Sequence, residues 1–582
     1  MTSERPFEDG GALPGRGRRG RFRAPWVWVI VIVAVAGGTY VGTLGNGFAF
    51  DDWLVVVINC RTWQNDTLWQ LLQHDYWNDL QRDVLYRPVT TVSHVLNYRL
   101  SGERPATYRA INIVLHAACC CCLFGLTCAV FGDRRLAGAT SVLFAAHALH
   151  VEAVAQVVGR AELLAGVLGL LALWVYVVDA RQKKGRPTWR YPIAAVLTGL
   201  AILSKESAVA VIAVAGFFDL WSVRFGTGGF SRPAADRPAD VARGRISSAL
   251  IGRLVLQRWV GMFLVVLIVL AIRMQVLGMV IQDQGSIPKV DNPIAQASSV
   301  GRVLTPVVLL GKYVWLLVWP DPLCHDYSYN ALPVCETPLD LRFAWGLLCI
   351  VGMVAGGIRS YRRAGGVLWC IVFFLLNYVL VSNTVVLSGT IFAERLMYMP
   401  SAAFCWLVAI GVVGAAEGIS GRAGSERRGC LVIAPVFALL CTAHVFLTVR
   451  RGQVWRSEAG LVASALALTD DSARIHLQAG YCAMNEKDAP TAIRHLKRSL
   501  EIMPDFLPAY FQLGRAYLMD GQFEKAIQYL KRFYIQAPDG TGYTTALCIA
   551  QAYERLGRRE EAKRWLARAR ELRPTASSAG GR

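Results

Sequence analysis

The chain has 582 residues, 54% of them hydrophobic and 18% charged, whereas a soluble domain carries about 25% charged residues; the long apolar runs behind this shortfall exclude an ordinary soluble enzyme. The net charge of +20, from 61 basic and 41 acidic residues, is gathered in short loops between those runs. That is the signature of cytoplasmic membrane loops, and no nucleic-acid partner is expected.

Arg16, Arg18, Arg19, Arg21 and Arg23 precede a first apolar run from Trp26 to about Leu44. The run is too long for a signal-peptide core and lacks a small-residue cleavage site. Residues 1–25 therefore read as a basic cytoplasmic tail. A span needs about 20 apolar residues, which predicts eleven: 26–44, 110–131, 136–150, 162–179, 191–204, 207–223, 259–281, 342–358, 366–386, 397–416 and 430–449. The loops this count makes cytoplasmic all carry basic residues: Arg134 and Arg135; Arg181, Lys183, Lys184 and Arg186; Arg243, Arg245 and Arg253; Arg359, Arg362 and Arg363; Arg422, Arg427 and Arg428. An odd number of spans puts the C-terminus outside. Counting 303–319 as a span would invert two of the basic loops, so it is expected to lie as a re-entrant or interfacial helix, with Tyr313, Trp315 and Trp319 at the interface.

Polar residues gather on the outer side. GFAFDDW follows the first span and places two adjacent carboxylates, Asp51 and Asp52, among aromatic residues. Adjacent carboxylates repel, which raises one pKa toward the range a general base needs. Nothing in the sequence orders the two. Arg87, Arg99, Arg104 and Arg109 belong to the same long outer loop. The next outer turn, HALHVEAVAQVVGRAELL, brings His147, His150, Glu152, Arg160 and Glu162 close together. This set fits either a divalent metal or a hydrogen-bonded cluster. LSKES adds Lys205 and Glu206, and GTIFAERLMYMPS adds Glu394 and Arg395. Charges at membrane depth are costly and functional by default, and Arg and Lys there suit a lipid-linked phosphate. In the outer loop Cys324 and Cys335 are a candidate disulfide, whereas Cys119 to Cys122 belong to a span.

Beyond about Arg450 the text turns charged and periodic. Gly480 and Gly514, Ala492 and Ala526, and Pro504 and Pro538 each recur after 34 residues, the tetratricopeptide (TPR) period. A third unit closes at Pro574, and Tyr517, Leu530 and Tyr553 are expected to fill the gaps beside the small residues. The domain, 451–582, is expected to present a concave surface to a protein or peptide, or else to serve as a cap or dimer contact.

FAFDDW, YRP followed by LNYRLSGERPATYRAINIVLH, HALHVEAVAQVVGRAELLAG, LSKES and GTIFAERLMYMPS occur in one order from Phe48 to Met399. This series resembles the transmembrane and TPR repeat-containing protein O-mannosyltransferases. The resemblance implies an all-α GT-C membrane domain over 26–450, followed by the outer TPR domain. It implies transfer of a sugar, mannose most often, from a polyprenyl-phosphate donor to Ser or Thr hydroxyls of proteins. It assigns catalysis to the acidic pair. Asp51 or Asp52 then takes the acceptor's proton, Arg160, Lys205 or Arg395 holds the leaving phosphate, and His147, His150, Glu152, Glu162, Glu206 and Glu394 shape the cavity. The three repeats are fewer than many relatives carry, and the Arg- and Ala-rich style looks bacterial; the membrane is expected to be the inner membrane in a bacterium and the endoplasmic reticulum in a eukaryote. Two alternatives stay open: a GT-C enzyme for another sugar or a non-protein acceptor, and a non-catalytic membrane-anchored TPR scaffold.

Overall fold

The structure is a computed structural model and describes residues 25–77, 85–182, 188–225, 258–279, 287–362, 365–423, 426–536 and 542–572. The basic tail before Pro25, the loop residues Lys183, Lys184, Arg186, Arg243, Arg245, Arg253 and Arg363, and the repeat-closing Pro538 and Pro574 lie outside them. Every regular element among the described residues is helical.

The membrane part runs α1 (Pro25–Tyr40), α2 (Pro88–Ser101), α3 (Pro105–Phe131), α4 (Arg134–Ala146), α5 (Arg160–Ala180), α6 (Arg190–Ser204), α7 (Ala210–Phe225), α8 (Val260–Leu277), α9 (Ser299–Val318), α10 (Leu341–Arg362), α11 (Gly366–Tyr378), α12 (Ser401–Ala423) and α13 (Glu426–Val454). Starts follow local rules. Pro88 and Pro105 stand in the first turns of α2 and α3, where a missing N–H costs nothing, and Asp133 caps α4 by accepting the N–H groups of Arg135 and Leu136.

Eight helices among the described residues are long and apolar enough to cross a membrane, which makes this a membrane protein. Seven of them coincide with predicted spans. Predicted spans 191–204 and 366–386 fall on shorter apolar helices, and 136–150 on a helix pair bent by 53° at His147. The 207–223 segment holds the 16 residues of α7 after a short 3-10 turn. α8 and α13 leave most of their apolar surface outward, including Phe263, Leu267, Leu431 and Leu439. Such a surface is stable only against lipid or another apolar face.

The eighth candidate is α9, the segment expected at the interface. Its 20 residues have the length and hydropathy of a span, so composition alone does not separate the two placements. Thr305 Oγ1 accepts the Cys335 N–H at 3.0 Å, and Gly311 O accepts the Trp345 indole N–H in the second turn of α10. Tyr313 meets Tyr378, the last residue of α11, and Leu317 O meets His147 Nε2 just past α4. α9 also packs closely against α10, where a Cβ added at Gly346 would meet Val307 O and one at Gly311 would meet Gly346. Cys324 and Cys335 are not bridged. Their thiols donate to the Asp326 and Thr337 carbonyls of their own loop.

The last part is a stack of helix pairs, α14 (Glu458–Leu466), α15 (Ala473–Asn485) with α16 (Ala489–Ile502), α17 (Leu507–Met519) with α18 (Phe523–Gln536), and α19 (Gly542–Arg555) with α20 (Arg559–Glu571). Small residues at the expected positions permit the close pairing. A Cβ added at Gly480 would stand 2.5 Å from Leu496 Cγ, and one at Gly514 2.5 Å from Leu530 Cγ. The branched leucine cannot retreat without leaving the core, so Gly514→Val is expected to destabilise the repeat stack by about 1–3 kcal/mol. Limited proteolysis over a temperature ramp would read it as earlier cleavage between α17 and α20. The stack is fastened to the membrane part by backbone bonds: Asn330 N–H to Asp471 O and Ala473 N–H to Tyr329 O, both 2.9 Å.

Candidate active site

The C-terminal end of α1 unwinds through a 3-10 turn, Val41–Gly45, into the segment Asn46–Phe50. Phe50 has φ +57°, a left-handed conformation that costs a bulky residue roughly 1–2 kcal/mol. This turn sends the two adjacent acids in opposite directions. Asp52 turns inward and is fully buried. It accepts the N–H groups of Ala49 (3.4 Å) and Val158 (3.2 Å) and lies 3.7 Å from Nη2 of buried Arg109. Arg109 also donates to the carbonyls of Ala155 at 2.9 Å and Asn46 at 2.6 Å, and to Gly47. Asp52 and Arg109 together lock the segment after α1 to the loop after α4.

Asp51 turns outward and lines a cavity of about 530 Å³. Around its polar end stand Arg87, Glu162, Lys205, Glu206, Arg273 and Arg395. The rest of the wall is largely apolar, with Ile202 of α6, Val266, Val269 and Leu270 of α8, and Val381, Val386 and Leu387 after α11, beside Ser207, Ser388 and Thr390. The charges are paired across elements. Lys205, extended between α6 and α7, donates to Glu162 in the first turn of α5. Arg87 donates to Glu206 through Nε (3.2 Å) and Nη2 (3.0 Å), and Arg273 of α8 stands 3.6 Å from the same carboxylate. Arg395 gives its backbone N–H to Glu152 at 2.8 Å and its guanidinium to the other oxygen of that buried carboxylate.

Burial pushes the Asp51 carboxyl up to about 6, against the lowering pull of Arg395 and Arg474. Burial likewise raises Asp52 to about 7, opposed by Arg109 and the two backbone N–H groups. Burial alone would raise Glu206, but the Arg87 guanidinium, its hydrogen bonds and Arg273 outweigh it and hold the carboxyl below its usual range.

Five of the expected site residues therefore line one cavity: Asp51, Glu162, Lys205, Glu206 and Arg395. Glu152 stands behind it, holding Arg395. The others lie elsewhere. Arg160 does not reach the cavity. It is fully buried and spends its donors on Asn112 Oδ1, the Ser93 carbonyl and hydroxyl, Asn97 Oδ1 and the Tyr108 carbonyl. It braces α2 and α3 against α5 and has no N–H left for a phosphate.

His147 and His150 belong to a buried ring cluster with His116, His444 and Tyr398. His150 Nε2 meets Ser401 Oγ at 2.8 Å, and neither histidine lines the cavity. With Glu152 on Arg395 and Glu162 on Lys205, the four suggested metal ligands do not converge. No group of three or more His, Cys, Asp or Glu among the described residues is placed to hold a metal ion. Glu394 is buried against the Tyr327 hydroxyl (2.8 Å) and Arg451 (4.0 Å), and burial raises its carboxyl to about 7.

Arg87 and Arg273 join the site unassigned by the sequence reading. Their signal was their place: Arg87 directly before the proline that opens α2, and Arg273 near the end of an otherwise apolar helix.

A family model described as "Protein O-mannosyl-transferase TMTC, DUF1736" matches residues 283–354. Two tetratricopeptide-repeat models match 483–543 and 549–575. The mouse protein O-mannosyl-transferase TMTC3 is 30% identical over 504 residues, covering 84% of this chain and 52% of that protein. The human TMTC3 protein is 30% identical over 507 residues, covering 84% and 53%. The chain thus spans about half the length of the curated relatives it matches. Among solved structures, the Archaeoglobus fulgidus oligosaccharyltransferase tethered to an acceptor peptide aligns at 13% identity and a TM-score of 0.41, over 75% of this chain and 55% of that one. An overlay that loose carries no argument about fold.

Proposed function

We propose that this relative of the TMTC protein O-mannosyl-transferases is a membrane glycosyltransferase. It moves a sugar, mannose first among the candidates, from a polyprenyl-phosphate donor to Ser or Thr hydroxyls of proteins. The observation that carries the reading is the cavity itself. One end holds four cations and three carboxylates, a net of one positive charge, and the remaining wall is largely apolar. A polyprenyl-phosphate sugar is a phosphodiester with one negative charge on a hydrocarbon chain. Its charge complements the polar end and its chain suits the wall beside α6 and α8.

In this reading Asp51 takes the proton from the acceptor hydroxyl while that oxygen attacks C1 of the sugar. The bond from C1 to the phosphate oxygen breaks, its electrons leave with the lipid phosphate, and configuration at C1 inverts. The leaving group gains a second negative charge, so cations already fixed in place stabilise the products more than the donor. Arg395, Lys205 and Arg87 are in position for it. The architecture proposed is a GT-C membrane domain of eleven spans over 26–450, with α9 on the outer face. Residues 451–582 form the TPR domain on that same extracytoplasmic face, and the N-terminus is cytoplasmic. In a bacterium the membrane is the inner one.

The test is transfer of labelled mannose from polyprenyl-phosphate mannose to a Ser/Thr-rich peptide by the purified chain. Its pH profile adds a second check. A base is active only when deprotonated, so with the Asp51 carboxyl at about 6 kcat/KM is expected to be flat above that pH. Below it the rate falls about tenfold per unit. A limb centred near roughly pH 4, the ordinary carboxylate value, would contradict the buried environment assigned to this group.

A further inference from the structure

The first TPR helix reaches the catalytic side of the membrane domain. Arg474, in the first turn of α15, pairs with Asp291 and stands 3.9 Å from Asp326 Oδ2, in the outer segment matched by the O-mannosyl-transferase model. Four residues on, Gln478 Oε1 meets His325 Nε2 at 3.0 Å. The His325 ring packs edge-on to Phe50, 5.4 Å between centroids, directly beside Asp51. The Asp51 carboxylate lies within electrostatic reach of both Asp326 and Arg474.

This seam is polar, enclosed and unfinished. His325 Nδ1, Asp326 Oδ2 and Ser328 Oγ are buried and have no hydrogen-bond partner among the described residues, though the three residues are only 5%, 6% and 3% exposed. Leaving such buried groups without a hydrogen bond is costly. Three together in one short loop, beside a cation from another domain, call for a ligand with its own donors and acceptors. The lipid-shaped cavity does not include them: its lining reaches Asp51 and stops there.

We propose that this seam is the acceptor subsite. His325, Asp326 and Ser328 of the outer loop, with Arg474 of the first repeat, hold an extended peptide whose Ser or Thr hydroxyl meets Asp51. A peptide backbone offers N–H groups for the Asp326 oxygen and the imidazole nitrogen, and carbonyls for the Ser328 hydroxyl and Arg474. The TPR domain then does more than present a remote surface, because its first helix supplies one wall of the subsite. The inference rests on the transferase reading above for the role of Asp51.

The test uses the full chain in detergent with a Ser/Thr-rich peptide carrying a photoreactive benzoylphenylalanine. Adducts are expected on 323–330 and 471–478. Adducts confined to the repeats beyond α16, or none, would overturn the subsite. In parallel, Ser328→Ala and Asp326→Asn are measured with both substrates varied. Each is expected to raise the acceptor KM about tenfold, as loss of one buried or charged hydrogen bond does, with the donor KM unchanged. Ser328→Ala removes only a hydroxyl that has no partner in the fold, so it leaves folding intact. An unchanged acceptor KM in both variants would also overturn the proposal. A wild-type chain that transfers no sugar but still gives the expected adducts counts against the transferase reading and supports the peptide subsite.

Discussion

Asp51→Asn is expected to lose sugar transfer by roughly 10²–10⁴-fold, the range a general base contributes, while the protein stays folded and still binds its lipid donor. Among the described residues no hydrogen bond to the Asp51 carboxylate holds the fold together, and the carboxylate faces the cavity. Asp52→Asn should behave differently although the residues are neighbours. The amide keeps one acceptor oxygen where the carboxylate serves Ala49, Val158 and Arg109. The loss is about 1–3 kcal/mol of stability, with whatever activity remains following the folded fraction. Transfer assays normalised to folded protein, run with thermal unfolding of both variants, separate the two. Full transfer by Asp51→Asn with loss in Asp52→Asn would exchange the roles assigned here.

That separation was not legible in the sequence. Two consecutive acids carry the same chemistry, and what divides them is the left-handed φ of Phe50, a conformation no propensity assigns to phenylalanine. Arg160 failed as a phosphate ligand for a related reason. At the head of an apolar helix it looked like a functional charge, but Asn112, Asn97 and Ser93, distant in the chain, consume its donors. The helices themselves were readable because hydropathy and length are local properties. Their number was less so, since α6, α7 and α11 are too short to settle by length alone. The repeat was readable through its 34-residue period. Arg474 was not, because on a repeat helix an arginine looks like solvated surface until the helix is seen docked on Asp291 and Asp326.

Arg395→Gln is the second large effect, expected to lower transfer by roughly 10²–10³-fold, as loss of one fixed charge-stabilising donor does. The substitution has a structural consequence that must be separated from the chemical one. Glu152 is buried and its guanidinium partner would be gone, a loss worth about 3–5 kcal/mol for an unpaired buried charge. Neutralising both sides removes that penalty, so the double variant Glu152→Gln with Arg395→Gln is expected to regain most of the stability. It should not regain transfer, because the positive group facing the departing phosphate is still missing. Arg395→Lys is informative between these limits. It keeps the charge but loses the planar fork that meets a carboxylate and a phosphate at once, so stability should recover more than activity. The measurements are thermal unfolding and kcat on the same preparations. If the double variant recovered transfer along with stability, Arg395 would be a brace for the outer loop only, and Lys205 with Arg87 would be left to hold the leaving phosphate.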